Sequence, residues 1–299
     1  MILIKHGQIV NASGTTYADI AIDGNKICKI EENIEASDND QVINAKGCLV
    51  FPGFIDGHTH LQLNNGTCDT ADNFETGSAA AVVGGTTTII DFATQEKGMS
   101  LHEAFNAWNA MAKGKSSCNY RYHMAITEWN EDIKKEILEM PEIGITSFKM
   151  YMAYDNLKTN DDEILDCLNQ IKKIDGVLGV HCENGALINE LTKEALAQGN
   201  TNVCIHAQVR PDTVEAEAIS RLCYIAKLAN HPVHIVHLSS EAGLQEVRKA
   251  RAMGVQVTTE TCPQYLLLDD HVYDLPDFEG GKFVLAPPLR KVEDNKAFS

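Results

Sequence analysis

Positive charge is scarce in this 299-residue chain: 25 lysines and arginines stand against 42 aspartates and glutamates, a formal net charge of −17. Nucleic acid and anionic membrane surfaces are bound through surplus basic groups, so this deficit argues against both as partners. Long apolar runs are missing too. The longest, such as Val-Leu-Gly-Val at 177–180, are the size of a strand, far short of the roughly 20 residues that cross a bilayer as a helix. Met1 leads directly into Ile-Leu-Ile-Lys, without the charged and apolar layout of a signal peptide. The nine cysteines fall singly, with no CxxC pair, which suits reduced thiols in a cytoplasmic enzyme. Low-complexity tracts and internal repeats are absent. What remains has the ordinary composition of a globular protein, 44% apolar and 22% charged, and is long enough for one large barrel domain with a small appendage.

The first fifty residues read as short strands: Leu3–Lys5, Gln8–Asn11, Asp19–Ile22 and Lys26–Ile30, separated by turn residues at His6-Gly7, Ala12-Ser13-Gly14 and Asp23-Gly24. Residues 1–50 are therefore expected to form a small β-sandwich unit. From Cys48 the pattern changes. β-Branched apolar runs beginning at Val50, Thr86, Tyr120, Ile145, Val177, Val233 and Val255 alternate with helical-period segments over 73–83, 101–113, 131–139, 161–173, 213–228 and 242–252. Strand–helix alternation of this length implies a parallel sheet with right-handed crossovers. The expected class is α/β, a TIM-like (β/α)₈ barrel over residues 51–299. Only seven strands are countable, and a closed barrel needs eight. The chain stops at Ser299 before another appears, so it is expected to be part of a longer gene product. Helix starts agree with the pattern: Asn160-Asp161-Asp162-Glu163 and Ser239-Ser240-Glu241 place capping side chains and acids where a helix N-terminus favours them.

Chemistry concentrates at strand ends. In Phe51-Pro-Gly-Phe-Ile-Asp-Gly-His58-Thr-His60, two histidines at i and i+2 point to one face and can meet one metal ion. His181 ends Gly-Val-Leu-Gly-Val-His, and His237 ends Val-His-Ile-Val-His. Read singly, each suits a structural role as well as a ligand role. Lys149 closes Gly-Ile-Thr-Ser-Phe-Lys. It is either a snorkelling surface lysine or a buried amine whose lowered pKa lets the neutral form add carbon dioxide, giving a carbamate able to bridge two cations. His234, three residues before His237, is expected to face the helical layer as a structural residue, and His123 to be a satisfied core histidine.

Together these residues carry a resemblance. His58-Thr-His60, Phe148-Lys149-Met-Tyr-Met-Ala-Tyr154, His181-Cys-Glu-Asn-Gly185 and His237-Leu-Ser-Ser240 are similar to the metal motifs of the cyclic amidohydrolases, most of all the dihydropyrimidinases and D-hydantoinases, phenylhydantoinases included. Further matching phrases are Gly84-Gly-Thr-Thr-Thr-Ile-Ile-Asp91, His206 with Arg210-Pro211, Glu215-Ala-Glu-Ala218, Glu260-Thr-Cys-Pro-Gln-Tyr265 and Pro287-Pro-Leu-Arg290. They cover most of the chain from about residue 48. The resemblance implies two divalent metal ions, zinc by preference. His58, His60 and carbamylated Lys149 would hold the buried ion, and Lys149, His181 and His237 the more exposed one. A hydroxide bridging the ions would attack the ring amide carbonyl of a dihydropyrimidine or 5-substituted hydantoin, releasing an N-carbamoyl amino acid. Tyr154 resembles the tyrosine that stabilises the oxyanion. The resemblance also implies a homo-oligomer, a tetramer in relatives. Gln62, Asn64 and Tyr151 are expected at the substrate entrance, and Ala286 to contact substrate through its backbone.

Two departures stand out. The family's last metal-site residue, an aspartate after the eighth strand that shuttles a proton to the leaving nitrogen, has no match here, and Ala286 replaces the usual serine before Pro-Pro-Leu-Arg. Alternatives are a dihydroorotase, an allantoinase, or a non-catalytic scaffold of the same fold. Dihydroorotases place an arginine where this chain has Gln62, and the scaffolds have lost ligands that are all retained here.

Overall fold

A computed structural model describes residues 1–64 and 69–298, arranged as two compact units, Met1–Ile90 with Ser116–Tyr120 and Asp91–Lys115 with Arg121–Ser299.

In the first unit, β1 (Ile2–Asn11) and β2 (Gly14–Asp23) form an antiparallel pair, β3 (Lys26–Glu31) extends it beyond β2, and β4 (Gln41–Asn44) and β5 (Leu49–Val50) run parallel to β1. The described residues form one mixed sheet here rather than two stacked ones. The His6-Gly7 pair, expected to be a turn, is instead an irregularity inside β1: pairing with β2 shifts between Ile4 and Gly7, and His6 takes a φ of 62°. This bulge presents the backbone N–H of His6 to Asp19, at 2.8 Å. The same buried carboxylate accepts from Ile34 N at 3.0 Å and lies 3.4 Å from Lys5 Nζ. Burial pushes the Asp19 pKa up, but the Ile34 and His6 N–H groups and Lys5 outweigh it, leaving the carboxyl below its usual range. A depressed carboxyl contributes stability that is complete above the unfolded-chain value of 3.8 and is lost as pH falls through the folded value. Asp19→Ala strands two N–H donors and a buried amine. It is expected to cost on the order of 2–3 kcal/mol in urea unfolding at pH 7, with the deficit shrinking toward pH 3.

Next come β6 (Phe54–Thr59), α1 (Phe74–Val83) and the start of β7 (Thr86–Thr94). The first barrel strand, expected to begin at Val50, begins at Phe54. Val50 pairs with Ile9 in the mixed sheet, and Phe51-Pro52-Gly53 separates the two roles. Proline has no N–H to give a ladder, and a Cβ at Gly53 would lie 2.1 Å from Thr87 Oγ1. Asn73 caps α1 through the N–H groups of Glu75 and Thr76, and Gly85, at φ 90°, turns the chain into β7.

The second unit carries the alternation onward: α2 (Leu101–Ala112), β8 (Asn119–Ala125), α3 (Glu131–Glu139), β9 (Ser147–Tyr151), α4 (Asp161–Ile171), β10 (Val177–His181), α5 (Gly185–Ala197), α6 (Ile205–Gln208), α7 (Asp212–Ala229), β11 (Val233–Ile235), α8 (Glu241–Ala252) and β12 (Val257–Thr259). Strand order is β7-β8-β9-β10-β11-β12, and the pairs from β8 to β12 are parallel. Ile164, Cys167, Leu168 and Ile171 of α4 are fully buried at i, i+3, i+4 and i+7, the stripe a helix needs to lie on a sheet. Phe148 and Met150 of β9 are buried as well. After β12 come only short helices, including α9 (Pro263–Leu267) and α10 (Val292–Ala297). Among the described residues, β6 to β12 are thus seven barrel strands with no eighth. The helix α5 falls in a stretch the sequence pattern left unassigned between Val177–His181 and residue 213.

Candidate metal centre

In the first unit, β6 delivers His58, and His60 follows directly after the strand. Their Nε2 atoms lie 3.3 Å apart. Two Zn–N bonds of about 2.0–2.1 Å at a tetrahedral angle put their nitrogens about 3.3–3.4 Å apart, so this pair has the spacing of two ligands on one cation. Gln62 and Asn64 lie in the following loop. Gln62 takes a φ of 55° and bonds through its N–H to Asp72 O at 2.8 Å. The Asn64 side chain donates to Asp69 at 2.8 Å.

In the second unit, His181 and His237 bring Nδ1 and Nε2 to 3.0 Å of each other, with both side chains buried. His237 does this by leaving the strand. β11 stops at Ile235, and His237 takes a φ of 40°, a left-handed backbone that costs a non-glycine residue about 1–3 kcal/mol. Two-residue alternation therefore does not extend from His234 to His237, and His234 need not face away from it. A Cβ at Gly179 would meet Val236 and His234 side chains at 3.1 and 3.9 Å, and Gly179 is the register partner of both Lys149 and His234. His234 thus shares the face of the sheet that Lys149 occupies, with Nδ1 2.9 Å from Thr258 Oγ1 and Nε2 3.1 Å from Glu260. It is not packed under the helices. His123 has Ser147 Oγ at 2.5 Å and the Phe92 ring at 4.9 Å.

Lys149 stands in the middle of β9 rather than at its end and is 1% exposed. This excludes the snorkelling alternative. Its Nζ sits 4.5 Å from the Phe92 ring centroid and 5.2 Å from that of Tyr151. Burial lowers the amine to about 7, with Glu260 and the Cys182 and Cys262 thiols pulling weakly the other way. A neutral fraction at physiological pH is what carbamylation requires.

Tyr154 follows in the loop after β9, at φ 69°. Its carbonyl accepts from the N–H groups of Leu157 and Lys158, which holds the turn closed and places the ring 5.0 Å from that of His181. Burial pushes its phenol up to about 12; Glu183 adds to the shift and Arg210 opposes it. Tyr151, expected at the entrance, is instead buried beneath this ring, in a cluster with Phe92 and Ala125. Ala286 is half-buried, between Leu285, whose carbonyl accepts from His206 Nε2 at 2.7 Å, and Pro287, whose carbonyl accepts from Tyr265 at 2.6 Å.

The sequence reading gave Glu183 and Arg210 no role. Glu183 Oε2 takes His181 Nε2 at 2.9 Å and Arg210 Nη1 at 2.6 Å, all three groups well shielded from water. Burial lowers the His181 pKa, and Glu183 only partly restores it. For Glu183 burial works upward, but His181 and Arg210 bring the carboxyl below its usual value. The pair is therefore neutral imidazole and carboxylate. A metal-binding histidine is commonly steadied in this way through its other nitrogen. The i, i+2 spacing of His181 and Glu183 was a usable clue. A further buried ion pair, Arg290 with Glu215 at 3.6 Å, ties the Pro-Pro-Leu-Arg segment to α7, with Ser239 bonded to both. Elsewhere Asp269, Asp270 and His271 bring three ligand atoms within 4.8 Å of one another. They are surface groups, and acidic clusters of this kind are common without an ion.

The amidohydrolase family model matches residues 49–264. The chain belongs to the amidohydrolase family. It is 43% identical to the D-hydantoinase of Geobacillus stearothermophilus over 97% of its own length and 62% of that relative. To a D-phenylhydantoinase of Escherichia coli it is 42% identical, over 98% and 63%. Among solved structures, dihydropyrimidinase from Brevibacillus agri superposes with a TM-score of 0.95 at 41% identity, covering 99% of this chain and 64% of that one. The chain therefore spans a little under two thirds of the length of these relatives. The TIM-like α/β fold expected from the alternation of elements is the one this amidohydrolase-family chain adopts, with seven barrel strands among the described residues.

Proposed function

We propose that this chain carries the metal-binding part of a cyclic-amide hydrolase that opens dihydropyrimidine or 5-substituted hydantoin rings to N-carbamoyl amino acids. The observation that carries the reading is the His181–His237 pair: two buried nitrogens aimed at each other, one imidazole steadied on its far side by a carboxylate. His58 and His60 offer a second pair at ligand spacing, and Lys149 an amine already poised for carbamylation. By the family resemblance, His58 and His60 of the first unit and Lys149, His181 and His237 of the second would hold two divalent ions, zinc by preference. Bound there, the ions would supply a hydroxide at neutral pH and polarise a carbonyl.

The chain's own groups account for the rest of the chemistry that is readable here. Tyr154, protonated throughout the neutral range, is a hydrogen-bond donor for the amide oxygen as it gains negative charge. Phe92, Ala125 and Tyr151 form a buried cluster against which that ring packs. Ring opening adds water across the amide: the C–N bond breaks, the carbon keeps the oxygen, and the nitrogen leaves with a proton. The D-hydantoinase and dihydropyrimidinase names of the relatives support the substrate class. Cytoplasmic location and a homotetrameric assembly belong to the same proposal. The described residues contain no helix long and apolar enough to cross a membrane.

The test is a substrate panel. Full-length protein loaded with zinc is expected to open at least one of dihydrouracil, dihydrothymine and 5-substituted hydantoins, with the N-carbamoyl product detected by chromatography. Turnover of allantoin or dihydroorotate with none of these would refute the substrate class. Inactivity on every ring, with no zinc retained, would favour a scaffold.

A further inference from the structure

Glu183 touches both sides of the candidate centre within the second unit. One carboxylate oxygen accepts from His181 Nε2 and from Arg210, and the Arg210 guanidinium carbon lies 5.5 Å from the Tyr154 ring centroid. Arg210 is itself held, its carbonyl accepting from Arg290. The chain of contacts therefore runs His237, His181, Glu183, Arg210, Tyr154, from the imidazole pair to the phenol. We infer that Glu183 is a positioning residue that sets the tautomers of the histidine pair, and that Arg210, shared between Glu183 and Tyr154, keeps the pair and the phenol in one fixed arrangement. This inference rests on reading His181 and His237 as metal ligands.

The tautomers follow from proton counting. A neutral imidazole has one N–H and one lone pair. A carboxylate only accepts, so His181 carries its proton on Nε2 and its lone pair on Nδ1. His237 Nε2, 3.0 Å from that lone pair, must then be the donor in the metal-free protein. A cation arriving between the two nitrogens displaces the His237 proton to solvent and finds the His181 lone pair already in place. Without Glu183, His181 is free to protonate on Nδ1, which turns an N–H toward the site. Such a tautomer must rearrange before it can bind.

Long-range proton–nitrogen correlation NMR on metal-free, full-length protein reads this directly, without substrate. Wild type is expected to show His181 protonated on Nε2 and His237 on Nε2. Glu183→Ala is expected to lose the His181 preference and to weaken zinc binding about 10- to 100-fold in chelator competition. Glu183→Gln, whose amide oxygen still accepts from Nε2, is expected to keep the tautomer. If Glu183→Ala does not fold, Glu183→Met combined with Arg210→Met removes the buried carboxylate and guanidinium together and is expected to give the same loss. A wild-type His181 protonated on Nδ1, or a Glu183→Ala or Glu183→Met/Arg210→Met protein that keeps both the tautomer and the zinc affinity, overturns the inference. A protein with the expected tautomers that opens no ring keeps the positioning role and sinks the hydrolase reading instead.

Discussion

Lys149→Ala is expected to bring ring-opening activity down at least about a thousandfold, roughly 4 kcal/mol of transition-state stabilisation, together with loss of bound zinc. Simple removal of a buried chain does not explain a loss that large; the proposed chemistry does. A buried amine, lowered to about 7 by that burial, has a lone pair available near neutral pH. That pair forms a C–N bond with carbon dioxide, the proton passes to buffer, and the product is an anion. Imidazole ligands bring no negative charge, so this anion would supply the charge that two divalent cations need. Two consequences separate the carbamate from a structural lysine. Short-chain carboxylic acids are expected to restore part of the zinc and activity to Lys149→Ala, because they return a carboxylate to the vacated space. Labelled bicarbonate is expected to enter wild-type protein at Lys149 when zinc is added. An unmodified amine in zinc-loaded, active protein would end the idea.

The same amine predicts a pH effect in metal-free, uncarbamylated protein. Its pKa is 10.5 in the unfolded chain and about 7 when folded, so between those values the unfolded state holds one proton more. Stability therefore rises with pH across that window and is lowest below it, where a charged amine stays buried. Lys149→Met should flatten the slope between pH 7 and 10.

Much of this was legible from particular residues. Ser240 caps α8 through the N–H of Gly243, where Ser239-Ser240-Glu241 put capping side chains and an acid ahead of a helical run, and His58, His60, Lys149, His181 and His237 stood out because polar groups rarely end apolar runs. What failed to show was set by backbone geometry and by distance along the chain. Period-two counting assumed that a strand reaches His237, whereas β11 ends two residues earlier and a left-handed turn redirects the side chain. Pro52, with Gly53 against Thr87, interrupts a run that looked like one strand. The Arg210–Glu183 bond joins residues 27 apart, and nothing local in either segment announces it. Tyr151 is expected from the sequence, with Gln62 and Asn64, at the substrate entrance. Alternation along β9, continued one residue past Met150, brings its ring back to the interior under Tyr154.

Tyr154→Phe is expected to lower kcat about 100- to 1000-fold, the usual effect of deleting one oxyanion donor, while leaving zinc content and KM nearly unchanged. Tyr154 keeps a φ of 69°, uncommon for a bulky residue, and its own carbonyl spends two hydrogen bonds, to Leu157 and Lys158, on holding that turn. The ring is thereby fixed 5.0 Å from His181, with Arg210 beside it and Tyr151 at 6.5 Å behind. Phenylalanine preserves the turn and the packing and removes only the hydroxyl, so binding of the ground-state ring should change little. The hydroxyl matters as charge builds on the amide oxygen. Its pKa, pushed up to about 12, keeps it protonated and able to donate throughout the neutral range. The kcat loss in Tyr154→Phe should therefore be independent of pH from about 6 to 9. A loss that appears only above some pH in this range would mean that the phenol acts by giving up its proton. An unchanged kcat with a raised KM would make Tyr154 a ground-state substrate contact and leave the oxyanion without its proposed donor.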